Sequence, residues 1–275
     1  MSEALRFLAA PGGGRLACRR LGGRKPGVLF LGGFRSDMTG TKATALDAHC
    51  RAVGRAFVRF DYSGHGESSG RFEEGTIGSW LADALRVLDE AAEGPQVLVG
   101  SSMGGWIMLL AALARPARVR GLVGVAAAPD FTEELIWGRL TEESRRRLME
   151  EGSLLRPSAY GAEPCPITCR LIEEGRAHLL LRGPIGVRCP VRLIHGMADA
   201  DVPWEVALRL CGCLEGADVE LTLGEGGRPP PLLARRHPAP DRDRRGPLPA
   251  GGGGGGEFPG PMTFDPVGAY CNTPL

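Results

Sequence analysis

The stretch VLVGSSMGGW (97–106) places a serine where a nucleophile would stand. An apolar run, QVLVGS (96–101), ends in Gly100-Ser101-Ser102-Met103-Gly104, and helical spacing begins at once in MGGWIMLLAALARP (103–116). G-x-S-x-G between strand and helix forces the central serine into a sharp turn that exposes its hydroxyl. Only Ser102 has glycine both two residues before and two after; centred on Ser101, those places fall to Val99 and Met103. At a helix N-terminus, amides stabilise developing negative charge, which suits acyl transfer through a serine adduct. The bland alternative is a Gly/Ser-rich turn with no nucleophile, and the flanking strand and helix weigh against it.

A serine hydroxyl needs a base, and the base an acid to orient it, in chain order Ser, Asp, His for this arrangement. VRLIHGMADADVPW (191–204) supplies the acid: an apolar strand ends at His195-Gly196, and the following loop carries Asp199 and Asp201. Asp199 is the candidate and Asp201 its rival. His195 precedes the acid and reads as a packed residue at a strand end. The loop LGGFRSDM (31–38) offers a second oxyanion donor: Gly32 and Gly33 permit close approach, so the Phe34 N–H joins that of Met103. His65, in FDYSGHGESSG (60–70), also precedes the serine and reads as structural or as part of a pocket rim.

Apolar runs of strand length at 27–33, 55–62, 96–101, 119–129, 191–196 and 219–223 alternate with helical patterns at 41–54, 76–94, 103–116 and 204–216. Strands apolar on both faces, separated by helices, predict a mostly parallel, doubly wound α/β sheet. Helical sequence at about 130–185 interrupts the alternation, as a cap over the site or as an extension with no gating role. The formal net charge of +1 gives no reason to expect nucleic acid or an anionic membrane as partner. No run of about 18 apolar residues suggests a membrane span. The N-terminus lacks the layout of a secretory signal, and the cysteine spacings match no zinc site, so we expect reduced thiols, a cytoplasmic location and no metal.

RFDYSGHGESSG, GSSMGGWIMLLAALARP and CPVRLIHGMADADVPW together resemble an α/β-hydrolase. They are similar in particular to the branch that holds mitochondrial palmitoyl-protein thioesterases with acyl-glucuronide esterase activity. The similarity spans about residues 14–223. With no transit-peptide pattern, and with 31 of 33 basic residues being arginine, the chain resembles a bacterial member encoded by a GC-rich genome. The resemblance implies a serine hydrolase without metal or organic cofactor, acting on a small-molecule or lipidated acyl ester or thioester. It assigns Ser102 as nucleophile, Asp199 as acid, and Phe34 with Met103 as oxyanion donors.

In that family the strand matching VELTL (219–223) leads to a loop bearing the catalytic histidine, and then to a closing helix. Here GEGGRPPPLLARRHPAP follows. Residues 224–275 hold 12 Gly and 11 Pro, a composition unable to bury a core, so disorder is expected there. His237 is the only histidine after Asp199, and it lies beyond three prolines. A reading-frame change near codon 224 accounts for the abrupt loss of pattern; an evolved tail is the alternative. The chain to 223 thus reads as a hydrolase domain lacking its last helix, and the whole chain as that enzyme or as a pseudoenzyme that keeps the pocket without the base.

Overall fold

Parallel pairing needs crossovers of a dozen or more residues, which the helical segments between apolar runs supply. The computed structural model describes residues 5–156 and 164–226. Its strands are β1 (Leu5–Ala9), β2 (Arg15–Leu21), β3 (Arg24–Leu31), β4 (Arg55–Phe60), β5 (Gln96–Ser101), β6 (Val119–Val125), β7 (Ser153–Arg156), β8 (Cys165–Thr168), β9 (Val191–Gly196) and β10 (Val219–Gly224). Helices α1 (Thr41–Ala52), α2 (Ile77–Glu90), α3 (Met103–Ala114), α4 (Glu142–Glu151), α5 (Cys169–Gly175) and α6 (Trp204–Cys213) complete it. Eight strands form one sheet in the order β1-β2-β4-β3-β5-β6-β9-β10. β1 and β2 pair antiparallel, β2 is antiparallel to β4, and every pair from β4 onward is parallel.

The doubly apolar strands divide their side chains by parity. Leu29, Leu31 and Leu98 join the larger core with α2, α3 and α6, whereas Val28, Phe30, Val97 and Val99 pack with Ala43 and Cys50 of α1 on the other face. α3 is apolar all round, and ten of its residues are buried, as befits a helix covered on every side. α2 opens on a reciprocal cap: the Thr76 side chain accepts the Ser79 N–H, and the Ser79 hydroxyl accepts the Thr76 N–H. β1 and β2 carry no clear apolar alternation, and their place in the sheet is visible only in the fold. β6 stops at Val125 rather than running to 129, because Ala126 turns into the left-handed region at φ 46°.

The segment expected to be helical at 130–185 is only partly so. A π-helical turn (Thr132–Ile136), a 3₁₀ turn (Trp137–Arg139) and α4 give way to the antiparallel hairpin β7–β8 before α5 begins. Gly152, at φ 77°, stops α4 and turns the chain into β7. Thr168 starts α5 by accepting the Leu171 N–H at 3.1 Å, so CPIT stays extended. Side-chain contacts tie this insert to the body and close it on itself. Arg209 of α6 pairs with Glu134 through contacts of 2.7 and 2.9 Å. Asp130, buried and left-handed at φ 60°, accepts the N–H groups of Leu180 and Leu181, each at 2.8 Å, and so joins the two ends of the insert.

The loop after β4 is organised around two buried carboxylates. Asp61 accepts the N–H groups of Met38 at 2.6 Å and Glu67 at 2.8 Å. Asp83, on α2, accepts the Ser63 N–H at 2.8 Å, and the Ser63 carbonyl accepts the indole N–H of Trp80 at 3.2 Å. His65 lies beside them, with Nδ1 3.3 Å from the same carbonyl. Burial pushes the Asp83 carboxyl up to about 6 and the His65 imidazole down to about 4.

Removing the Asp130 carboxylate strands two buried amides. Asp130→Ala is therefore expected to cost about 3 kcal/mol, and a fall of less than about 1 kcal/mol in urea titration would show that the clamp does little. The Asp83 and His65 shifts act in opposite directions. Asp83 contributes stability that is full below its ordinary value of 3.8 and is lost as pH rises through about 6. His65 contributes stability that is full above 6.5 and is lost as pH falls through about 4. Each swing is about 3 kcal/mol. On acidification from pH 6.5 to 4, Asp83→Asn should lose stability more steeply than the parent chain, and His65→Asn less steeply. Parallel denaturation curves for all three would remove both assignments.

Candidate active site

β5 enters α3 without a connecting loop, and Ser102 stands at the junction with φ 52° and ψ −120°, a conformation rare outside glycine. The close approach that holds it depends on two glycines. A side chain on Gly100 would collide with the Gly104 carbonyl, and one on Gly104 with the carbonyls of Leu31 and Gly32. The Ser102 backbone is pinned from both sides. Its N–H donates to Val125 at 3.1 Å, and its carbonyl accepts from Gly105 at 2.8 Å and Ala128 at 3.0 Å. The Met103 N–H opens α3, where amides have no acceptor within the helix.

The loop leaving β3 lies directly against this serine: a Cβ built on Gly33 would sit 3.4 Å from the Ser102 Cβ. Phe34 follows, its ring edge-on to Phe72 at 5.0 Å, to Phe131 at 5.5 Å and to Trp80 at 5.8 Å. Phe131 comes from the start of the cap and meets Trp106 of α3 at 5.8 Å. Aromatic side chains from three segments thus pack on the residue that follows Gly33. Beside them a cavity of about 200 Å³ is bordered by Arg35, Asp37, His65, Phe72 and Pro166.

Asp199 stands after β9, on the same edge of the sheet. Its Oδ1 accepts the N–H groups of Asp201 at 3.0 Å and Val202 at 2.9 Å, which fixes the loop and leaves Oδ2 without a hydrogen-bond partner among the described residues. Asp201 is exposed and serves that loop through its amide. His195 is fully buried, with Nε2 2.9 Å from the Val202 carbonyl, so it packs beneath the acid loop as its position suggested. The order β3-β5-β6-β9 sets Phe34, Ser102 and Asp199 at the carboxyl ends of neighbouring parallel strands. Two strand spacings, about 10 Å, separate the ends of β5 and β9.

The described histidines have other engagements. His178 is 2.7 Å from Glu174, His49 sits in the last turn of α1, and His65 and His195 are held as above. The chain leaving β10 runs beside the acid loop, where the Met197 N–H donates to Gly224 at 2.7 Å and the Ala198 N–H to Gly226 at 3.3 Å. His237, the expected disorder of the tail and the frame change inferred near codon 224 lie outside the described residues.

A family profile described as "Serine aminopeptidase, S33" matches residues 27–161. The mitochondrial palmitoyl-protein thioesterase ABHD10 of Bos taurus is 44% identical over 221 residues, covering 80% of this chain and 72% of that protein. The solved structure of mouse alpha/beta hydrolase domain-containing protein 10 superposes with a TM-score of 0.75 at 43% identity, over 82% of this chain and 90% of that one. A putative hydrolase from Agrobacterium vitis S4 gives a TM-score of 0.79 at 41% identity, over 82% and 92%. Among the described residues no helix is long and apolar enough to cross a membrane. Fold, sequence and relatives agree: this chain is a hydrolase that belongs to the α/β-hydrolase family, in the branch similar to ABHD10.

Proposed function

We propose that Ser102 attacks the carbonyl of an acyl ester or thioester, with the Phe34 and Met103 amides holding the oxyanion and Asp199 orienting the base. The alcohol or thiol departs, and water then releases the acyl group from Ser102. The observation that carries this reading is the left-handed Ser102 between β5 and α3, held by glycines that admit no side chain. Such strain gathers at sites that use it, because packing alone has no need of it. Long-chain acyl thioesters are the proposed substrate class, by analogy with the named activity of the relatives and in keeping with the aromatic cluster around Phe34. Seven free cysteines among the described residues suit a reducing compartment. The expected cytoplasmic location rests on that alone, since the curated relatives are named mitochondrial.

A second reading has its own support: none of the four histidines described is hydrogen-bonded to Asp199. Without a base, a serine hydrolase keeps only what the oxyanion hole and binding supply, on the order of 10³–10⁴-fold over water. The chain would then act chiefly as a binder of acyl groups. A fluorophosphonate probe separates the two. Under the enzyme reading, the folded chain is labelled at Ser102, Ser102→Ala abolishes labelling, and Asp199→Asn slows it by tenfold or more, on the order seen when an acid that orients the base is lost. No labelling of a folded sample would favour the binder.

A further inference from the structure

The loop that carries Phe34 is bent in a way its own sequence does not favour. Arg35 lies in the left-handed region at φ 59°, which a non-glycine residue keeps only where its surroundings impose it. The Ser36 N–H donates to the Gly33 carbonyl at 3.1 Å, closing a turn around that residue. Further on, the Met38 N–H is tied to Asp61 at 2.6 Å. Between these two fixed points, the Arg35 N–H is directed at Nε2 of His65 at 3.3 Å.

The direction of that bond follows from the other side of the ring. Nδ1 of His65 lies 3.3 Å from the Ser63 carbonyl, which can only accept, so Nδ1 carries the proton and Nε2 presents its lone pair. The ring cannot swing aside. It is 4% exposed and meets Tyr62, Phe72 and Trp80 edge-on at 5.7, 5.2 and 5.4 Å. Two of those aromatics, Phe72 and Trp80, also pack on Phe34, so one cluster holds both the histidine and the residue it serves. Substitution of His65 by asparagine or glutamine separates its two hydrogen bonds. Asparagine reaches only the Nδ1 position and can still donate to Ser63, whereas the glutamine carbonyl reaches the Nε2 position and can still accept from Arg35.

We infer that His65 is a positioning residue for the oxyanion hole: its Nε2 holds the Arg35 N–H, fixing the left-handed turn that sets the Phe34 N–H beside Ser102. The inference rests on the reading of Phe34 as oxyanion donor and Ser102 as nucleophile. Two measurements on the full-length chain test it: deuterium uptake by the peptide spanning residues 31–38, and the rate of Ser102 phosphonylation by a fluorophosphonate. His65→Asn should speed uptake at the Arg35 amide and slow phosphonylation by about tenfold or more, since small displacements of a positioned group carry large rate effects. His65→Gln should leave both within about threefold of the parent. His65→Leu, which lacks both polar groups and suits the apolar surroundings, makes the same comparison if the asparagine variant does not fold. Equal behaviour of the asparagine and glutamine variants overturns the inference, as does faster uptake with an unchanged rate. If the folded parent is not phosphonylated at all, the nucleophile reading falls, and uptake alone then decides whether His65 holds the loop.

Discussion

The close approach of α3 to the ends of β3 and β5 governs everything built at this edge of the sheet. Gly100 and Gly104 leave no room for a side chain where strand, helix and neighbouring carbonyls converge. That contact drives Ser102 into a left-handed conformation at the tip of the turn and brings the Gly33 segment against it, with the Met103 N–H at the start of α3. The strain is sustained by burial. α3 is almost wholly enclosed, and the Ser102 backbone is hydrogen-bonded to the end of β6 and to Ala128, so relaxing the turn would dismantle the surrounding core.

Around that point, buried polar groups do the work that loops cannot do alone. Asp61, Asp83 and Asp130 each accept backbone amides that would otherwise be stranded, and each is held above the ordinary carboxylate range chiefly by burial. Most of their partners lie twenty or more positions away, so each carboxylate fastens segments that are distant in the chain. Asp61 links the loops after β3 and β4, Asp83 ties α2 to the β4 loop, and Asp130 closes the base of the cap. Trp137 adds a counterpart within the insert, its ring approached by the guanidinium groups of Arg145 and Arg176 at 5.2 and 5.0 Å.

The described residues gather Ser102, the Gly33 segment and Asp199 at one edge of the sheet, and the chain after β10 leaves along that same edge. β10 pairs only with β9 among the described strands, and its residues are more open to solvent than those of the central strands. In a parallel sheet, ligands gather at the carboxyl ends of the strands, and the chain leaving β10 passes along that edge beside the acid loop. Membership of the α/β-hydrolase family accounts for the fold that frames Ser102 and Asp199.

Much of the fold was legible in local pattern. Each central strand announced itself as a short apolar run and each of α1, α2, α3 and α6 through helical spacing, and the glycines flanking Ser102 marked the turn, because these signals depend on neighbours a few positions apart. The sequence alone thus determined the α/β class, the candidate serine and the acid loop. Tertiary structure decided the rest: the antiparallel β1–β2 edge, the β7–β8 pair inside the insert, the Asp130 clamp, and Arg35 as the partner that gives His65 a structural role. The His65–Arg35 bond spans 30 positions and the Asp130–Leu180 bond spans 50. No local period encodes such a pair, since the residues meet only after sheet order and cap have been set by the burial of other side chains.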